Sequence, residues 1–567
     1  MDIEEQDNPS PKLLYPNQKY PVDGQVFKTL IESSLTWLRT NQQAVNVLNV
    51  FPVPDGDTGT NMVLTMQAAC DEIANSAERN IGKLTRMVAH GALMGARGNS
   101  GVILSQLWRG FARALDNFET LDGQLLVDAL HQGRNTAYKG VVRPVEGTIL
   151  TVATDIDAEA KSSLADTQDP YDLLERIVAA ADVSVQKTPE LLAVLKEAGV
   201  VDAGGKGLFI ILEGMLRYIK GLPLDVATST VQSLSAMKLE NSMDSLEPGQ
   251  DFEVVVDFHP TVALNIPQFY EDLQRIGTSI QLGEGDGIYR MHIHVPADKE
   301  YVPIQYIKTL GVVSKAAIEN LREQVENLDH EHRNLIQCKP VDPGQIATVA
   351  VAPGPGIAQV FSSLEVSAIV EGGQTMNPST QEILNAFENL PTDQVFILPN
   401  NKNIILAAQA AAELTVKHVT VIPSQSVPQG IVAMIRLTNI LSVDKTPIPK
   451  EVADEMNAAL NDVETGEITT ATRSVEIDGV NVKEGQIISL LNGKLVLASG
   501  NLKDATLGLL KKAHADHFGL ITLFFGSDVS RMEVDTIADS IRKKFPKQEI
   551  EVQDGGQPHY QFIISIE

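Results

Sequence analysis

Residues 49–62 read NVFPVPDGDTGTNM, and this stretch decides how we interpret the N-terminal part of the chain. Asp55 and Asp57 flank a glycine after two prolines that stiffen the approach, and the Thr-Gly-Thr-Asn run that follows can open a helix. Carboxylates one residue apart on a tight turn can point at the same volume, where a divalent cation such as Mg²⁺ would relieve their repulsion. An Asp-rich surface turn that caps the next helix explains the same residues, so both interpretations stay open here.

Composition limits the class of protein. A chain of 567 residues is too long for one core and predicts about three domains. The formal net charge of −28 argues against non-specific binding to nucleic acid or to an anionic membrane surface. Cys70 and Cys338 lie far apart, which fits a reducing compartment rather than a disulfide framework. With no signal peptide and no long apolar run, we expect a cytoplasmic protein without a transmembrane segment.

An all-α domain is predicted over residues 24–220, behind a flexible leader at residues 1–23. Apolar residues at helical spacing predict helices over residues 24–47, from near Thr58 or Thr60, over residues 81–94 and over residues 102–115. Polar or glycine-rich turns stand before four helices, at residues 55–58, 95–101, 143–148 and 199–205. Each turn could be a simple helix connection, but free N–H groups at a helix N-terminus also favour an anion. Together the turns predict a nucleotide site at one end of a helical bundle or barrel, although no Walker A sequence is present.

Four long strings carry a resemblance to a known family: residues 49–62, GARGNSGVILSQ at 95–106, PVEGTIL at 144–150 and AGVVDAGG at 198–205. In the same order, they resemble the ATP-binding subunit of bacterial fatty acid kinase, whose N-terminal domain is similar to the nucleotide-binding L subunit of dihydroxyacetone kinase. The resemblance implies an eight-helix barrel that holds ATP and two Mg²⁺ ions at one end.

The resemblance also assigns residues to the site. Asp55 and Asp57 match the metal-binding aspartates and are the expected catalytic residues. Thr58 stands where the dihydroxyacetone kinase pattern has a histidine, and only Asn49 lies near the place of a further metal-binding aspartate. The residues expected around the phosphates and base are Thr60, Asn61, Gly98, Asn99, Ser100, Gly101, Thr148, Asp202 and Gly204.

A linker at residues 221–250 leads to a predicted small α+β domain at residues 251–335. Alternating patterns predict strands over residues 252–259 and 288–295. Helices are predicted over residues 267–276 and 302–310, followed by a polar helix that carries Glu319 and runs to about residue 334.

His292 and His294 lie two positions apart on the second of these strands, so both side chains share one face. That geometry suits two zinc ligands, while two solvated or hydrogen-bonded histidines are the plainer interpretation. In the resembling family a cysteine on the preceding strand can complete the metal site. Val255 stands at that place here, and Asp257 or His259 on the same face could replace it.

Residues 336–567 are predicted to form an α/β domain with a largely parallel sheet, because short apolar strands alternate with helices. Loops after the strands should form a binding edge that includes EGGQTMNPST at residues 371–380. Turn chemistry with Ser379 as a helix cap accounts for much of this loop. The family resemblance extends to this region, where it implies docking of a separate fatty-acid-binding carrier protein.

The function that follows from the resemblance is transfer of phosphate from ATP to the carboxylate of a fatty acid presented by that carrier, giving an acyl phosphate. Such a carboxylate is already ionised at neutral pH and needs no general base. A dihydroxyacetone-type kinase and a non-enzymatic nucleotide-binding adaptor are the alternatives. A homodimer is left open.

Overall fold

The computed structural model describes residues 21–49, 56–141, 143–224, 232–233, 252–261, 264–285, 288–320, 338–374, 376–444, 447–471, 474–477 and 479–567. These residues form a helical domain, a middle domain around one sheet and a C-terminal domain with two larger sheets. Asp55, most of the predicted leader and linker, and the end of the predicted polar helix lie outside the described residues.

The described part of the first domain contains ten helices, of which eight have 14–22 residues and two have six or seven. They are α1 Gly24–Thr40, α2 Gln42–Leu48, α3 Thr58–Ile73, α4 Ile81–Met94, α5 Gly98–Ala114, α6 Gly123–Lys139, α7 Ile149–Ser163, α8 Pro170–Leu191, α9 Ala193–Ala198 and α10 Ala203–Ile219. The predicted helix at residues 24–47 is interrupted at Asn41, and α5 starts at Gly98 rather than Val102. Closure of the long helices into an eight-helix barrel stays a prediction.

Apolar faces of these helices build one core. In α1, the buried residues Phe27, Leu30, Ile31 and Leu38 recur at helical spacing, and Asp23 caps the first turn by accepting from two backbone N–H groups. Phe27 stacks on Phe111 of α5 beside an apolar cavity of about 90 Å³. Within the described residues, no helix is both long enough and apolar enough to span a bilayer.

The middle domain is a five-stranded sheet with strand order β1-β3-β4-β2-β5. Its elements are β1 Gln232–Ser233, β2 Phe252–Pro260, α11 Ile266–Gln274, β3 Thr278–Gly285, β4 Ile288–Val295, α12 Val302–Leu310 and β5 Gly311–Asn320. The prediction that Glu319 lies on a helix was wrong. Gly311 follows the last residue of α12, and the next residues pair antiparallel with β2, so sheet pairing overrides the charge spacing that suggested a helix.

The C-terminal domain combines a parallel four-stranded sheet, in the order β7-β6-β8-β9, with a mixed six-stranded sheet in the order β14-β13-β10-β17-β15-β16. The first half holds β6 Ile346–Ala352, α13 Pro355–Ser363, β7 Ala368–Glu371, α14 Thr380–Glu388, β8 Gln394–Leu398, α15 Ile405–Glu413, β9 His418–Val421, α16 Val427–Val443 and α17 Pro449–Ala459. The second half holds β10 Glu464–Thr470, the hairpin β11 Val475–Ile477 and β12 Val480–Val482, β13 Ile487–Leu491, β14 Lys494–Ser499, α18 Leu502–Lys512, β15 Leu520–Phe525, α19 Arg531–Lys544, β16 Glu549–Asp554 and β17 Tyr560–Ile566. The predicted fold class is confirmed: a helical domain is followed by a middle α+β domain and an α/β domain. The prediction of a largely parallel sheet holds for the four-stranded sheet but was wrong for the six-stranded one, where β15 and β16 pair in parallel and the other described pairs are antiparallel.

Candidate active site

Four helices of the first domain begin close together at one end. The start of α5 lies against the start of α3, because a Cβ added to Gly98 would sit 2.7 Å from the side-chain nitrogen of Asn61. Near its start, α10 lies against α3 as well, since a Cβ on Gly207 would clash with the sulfur of Met62. These close approaches gather N-terminal N–H groups, which attract anions, at one end of the domain.

The fourth helix, α7, joins the group through Asp202. The carboxylate of Asp202 caps α10 by accepting from the backbone N–H of Gly205 at 2.6 Å, and it also accepts from the backbone of Ile149 at the start of α7. Burial raises the pKa of Asp202 to about 6, although these hydrogen bonds oppose the rise. We call the first turns of α3, α5, α7 and α10 the helix-start cluster.

Asp57 occupies the N-cap position of α3 and is 7% exposed. Gly56, immediately before it, has a φ of +65°, a conformation that favours glycine. One carboxylate oxygen of Asp57 accepts from the side-chain nitrogen of Asn49 at 3.4 Å, and the other accepts from that of Asn377 at 2.6 Å. Asn49 stands near the place where the dihydroxyacetone kinase pattern has a further metal-binding aspartate. Its amide N–H donates to Asp57, whereas an aspartate at that place would repel the Asp57 carboxylate.

The carboxylate oxygens of Asp57 and the amide oxygens of Asn49 and Asn377 are of the type that suits Mg²⁺ better than a transition metal, because oxygen atoms are its usual protein ligands. Within the described ranges, no three His, Cys, Asp or Glu side chains are grouped to hold a metal ion. In proteins Mg²⁺ is commonly bound by one or two carboxylates together with substrate phosphates, and Asp57 could supply one such carboxylate.

The other predicted site residues divide by role in the structure. Gly101 lets α5 approach α3, because a Cβ there would clash with the hydroxyl of Thr65, and Ser100 lies half-buried beside it. The hydroxyl of Thr60 accepts from two side chains of α2. Thr148 caps α7 through its own hydroxyl, at 3.3 Å from the N–H of Leu150. The structure thus brings together the predicted turns at helix starts, while a role in nucleotide binding stays a prediction for each of these residues.

The C-terminal domain contacts this end of the helical domain. Besides the bond from Asn377 to Asp57, the backbone N–H of Thr380 donates to the carbonyl of Ala96 at 3.1 Å. The side chain of Asn99, a predicted phosphate residue, donates to that of Asn403 at 3.2 Å. Residues from two loops that follow strands of the parallel sheet therefore meet the helix-start cluster.

Asn377 was missed as a site residue by sequence reasoning. The loop at residues 371–380 was assigned to the binding edge of the sheet, but it carries no nucleophile–base pair and was largely explained as turn chemistry. Its partner Asp57 is 320 positions away in the chain. The only available signal was the polar Asn-Pro-Ser run in the loop after β7.

The zinc site predicted at His292 and His294 is not supported. Both side chains are buried, at 1% and 2% exposure, and their ring centroids lie 4.9 Å apart, so the shared face is confirmed. However, Asp257 accepts from the Nε and Nη2 atoms of Arg290, at 2.6 and 2.8 Å, and His259 is exposed. The third neighbour is instead Glu253, whose carboxylate lies 3.3 Å from the Nε2 atom of His292.

Burial also determines the protonation state of His292. Burial and then the charge of His294 lower the pKa of His292 to about 3, so its imidazole is neutral at neutral pH. We call Glu253, His292 and His294 the histidine face. These side chains are buried on the face of the sheet opposite to the apolar core residues Val254 and Ile293. No set of three ligands for a metal forms there among the residues described.

Comparison with known proteins covers nearly the whole chain. Residues 347–567 match the C-terminal domain of FakA-like proteins of fatty acid kinase, residues 248–328 match the middle domain of the same proteins, and residues 52–217 match the DAK2 domain. Among solved structures, the dihydroxyacetone kinase of C. freundii, in complex with AMP-PNP and Mg²⁺, covers 38% of this chain and 37% of its own at 16% identity. Its TM-score of 0.28 is too low to bear on function.

Full-length relatives agree with these domain matches. An uncharacterized protein of Staphylococcus aureus (strain MRSA252) is 36% identical over 553 residues, which cover 96% of this chain and 99% of that protein. An uncharacterized protein of Staphylococcus epidermidis (strain ATCC 35984) is 36% identical over 558 residues, with the same coverage of both chains. With all three domains matched in order and relatives aligned from end to end, the chain belongs to the FakA-like family of fatty acid kinase proteins.

Proposed function

We propose that this protein transfers the γ-phosphate of ATP to the carboxylate of a fatty acid that a separate fatty-acid-binding protein presents. The observation that carries the proposal is the helix-start cluster: four helix N-termini lie close together, and Asp57 is the N-cap of one of them, in a domain that matches DAK2. Positive helix ends next to a carboxylate suit a substrate that brings both phosphates and a divalent cation.

The reaction needs little covalent chemistry from the protein. A carboxylate oxygen of the fatty acid attacks the γ-phosphorus, the bond from that phosphorus to the bridging oxygen breaks, and ADP leaves with the electron pair. The substrate carboxylate is ionised at neutral pH, so no base has to remove a proton. Rate enhancement then comes from positioning and from charge stabilisation.

The residues of the chain have distinct tasks in this reaction. Mg²⁺, held by Asp57 and by Asp55, would neutralise charge on the phosphates. The N–H groups at the starts of α3 and α5, with the side chains of Asn61 and Ser100, donate hydrogen bonds to phosphate oxygens. Gly98 has a φ of +56° and faces Asn61, so the absence of a side chain there leaves the helix start open to close approach.

Carrier-dependent turnover tests the proposal. The full chain is incubated with ATP, Mg²⁺ and a purified fatty-acid-binding protein from the same cell, either loaded with palmitate or stripped of lipid. We expect ADP release and trapping of the acyl phosphate as a hydroxamate by hydroxylamine only with the loaded carrier. Phosphate transfer to dihydroxyacetone instead would favour the glycerone kinase alternative, and nucleotide binding without transfer to either acceptor would favour an adaptor.

A further inference from the structure

Asn377 brings a polar side chain from the C-terminal domain into the helix-start cluster. Its Nδ2 atom donates to a carboxylate oxygen of Asp57 at 2.6 Å, and the two side chains are 2% and 7% exposed. A short hydrogen bond to a charged acceptor, shielded from water, is among the stronger polar contacts in a protein. The contact therefore fixes the direction of the Asp57 carboxylate.

The backbone around Asn377 is itself held by the helical domain. Arg97, the residue before α5, donates to the carbonyl oxygen of Asn377 at 3.0 Å and pairs with the carboxylate of Glu382 at 3.2 Å. Glu382 also accepts from the N–H of Ser379 and so completes the capping box of α14. The amide of Asn377 is thus presented from a braced loop rather than from a free end.

The Oδ1 atom of Asn377 is available to accept a hydrogen bond from a ligand. This atom is buried and has no hydrogen-bond partner among the described residues. A buried amide oxygen without a partner destabilises a protein, so an amide is a poor choice if the position only fills space. Beside a carboxylate proposed to bind Mg²⁺, the same oxygen can accept from a water bound to the ion.

We propose that the phosphate-transfer site is shared between two domains and that Asn377 is the positioning residue of the metal-binding carboxylate Asp57. This inference rests on the function proposed above. Side chains that orient a metal ligand through hydrogen bonds typically change metal affinity by 10- to 100-fold when removed. The C-terminal domain then has a part in the reaction itself, in addition to any part in docking the carrier.

Manganese binding tests the inference without any catalytic readout. Mn²⁺ replaces Mg²⁺, a non-hydrolysable ATP analogue is held at saturation, and free Mn²⁺ is followed by electron paramagnetic resonance with the full chain. We expect Asn377→Ala to raise the Kd for Mn²⁺ by about 10- to 100-fold. The matched control is Glu382→Gln, which breaks the ion pair with Arg97 in the first turn of the helix that follows the loop, but can still cap α14 and leaves the bond to Asp57 intact.

Each outcome bears on the inference. Weaker Mn²⁺ binding by Asn377→Ala, together with near-normal Mn²⁺ binding by Glu382→Gln, supports it. Equally weakened Mn²⁺ binding in both variants would mean that Asn377 only holds the two domains together. Unchanged Mn²⁺ binding in both would mean that Asn377 has no role at the metal site. Tighter Mn²⁺ binding or faster turnover in Asn377→Ala would mean that the loop obstructs the metal site, and it would overturn the inference.

Two further comparisons keep the result interpretable. If Asn377→Ala fails to fold, Asn377→Ser keeps a polar side chain too short to reach Asp57 and is expected to weaken Mn²⁺ binding in the same way; normal binding by the serine variant would overturn the inference. Failure of the wild-type chain to bind Mn²⁺ with the nucleotide would count against the proposed function. Failure of the variants alone to differ would count only against the role of Asn377.

Discussion

The helix-start cluster and the histidine face begin from the same kind of sequence signal and differ in what surrounds the pair. In each, two ligand-type residues stand two positions apart, at residues 55 and 57 or at residues 292 and 294. Asp57 accepts from two side-chain amide N–H groups at the positive end of a helix, whereas His292 is buried on β4 beside Glu253. Spacing predicts that two side chains meet, but their neighbours decide whether an ion can bind.

The largest expected effect is at Asp57. Asp57→Ala removes the carboxylate that we expect to hold Mg²⁺, so carrier-dependent turnover should fall by more than roughly 10²-fold, above the usual effect of a residue that only orients a ligand. The matched control is Asp122→Ala, which removes another N-cap aspartate, one that accepts from Leu125 at the start of α6. That variant should lose about 1 kcal/mol of stability but keep its turnover. Equal turnover in both variants would contradict the assignment of Asp57 to the catalytic site.

Metal removal sharpens the contrast between the two regions. Dialysis against EDTA should abolish turnover, and added Mg²⁺ should restore it. The same treatment should leave hydrogen–deuterium exchange of β4 unchanged, because the side chains of the histidine face are not grouped as a metal site among the described residues. Stoichiometric zinc in the purified chain, lost on changing both His292 and His294 to Asn, would reverse this conclusion.

Acid should destabilise the middle domain through His292. Its pKa is lowered from 6.5 to about 3, so the unfolded chain takes up a proton first as the pH falls. Protection of β4 should therefore decrease between about pH 6.5 and pH 3, by at most about 1.4 kcal/mol per pH unit. Exchange rates corrected for intrinsic pH dependence measure this, with His292→Gln as the control that should flatten the profile. An identical profile in the control would exclude His292 as the cause.

A smaller effect of opposite sign is expected in the helical domain through Asp202. Its pKa is raised from 3.8 to about 6, so the unfolded chain loses its proton first as the pH rises. Stability should then fall between about pH 4 and pH 6, by less than about 1.4 kcal/mol per pH unit because the side chain is only partly buried by surface area. In contrast, Asp202→Asn keeps the cap and should lose this dependence.

Intrinsic fluorescence can isolate that signal within the full chain. Both tryptophans of the protein, Trp37 and Trp108, are buried in the helical domain, so urea unfolding followed by tryptophan emission reports on this domain. The difference in midpoint between wild type and Asp202→Asn should grow from pH 4 to pH 6. A constant difference would mean that Asp202 does not titrate in this range.

Local patterns predicted much of the helical domain. The bounds of α4 and the start of α3 follow from apolar spacing and helix-opening residues that act over a few positions. The start of α5 was placed too late, because Gly98 and Gly101 carry no apolar signal and enter the helix through close packing on Asn61 and Thr65. Such packing depends on a second helix and cannot be read from one segment.

Contacts between distant segments account for what the sequence did not predict. Strand parity correctly placed His292 and His294 on one face, but it could not show that Arg290 stands opposite Asp257 and occupies it. In the same way, the bond from Asn377 to Asp57 depends on how two domains meet. The residue types of the site were therefore predictable from sequence, while their partners required the structure.

The most direct test of the central claim follows the oxygen atoms. Palmitate labelled with ¹⁸O in its carboxylate is loaded on the fatty-acid-binding protein and incubated with ATP, Mg²⁺ and the full chain, and the product is observed by ³¹P nuclear magnetic resonance. Attack by the carboxylate on the γ-phosphorus predicts an acyl phosphate whose signal carries the shift of one bonded ¹⁸O. Release of unlabelled inorganic phosphate from ATP without any acyl phosphate would contradict the account.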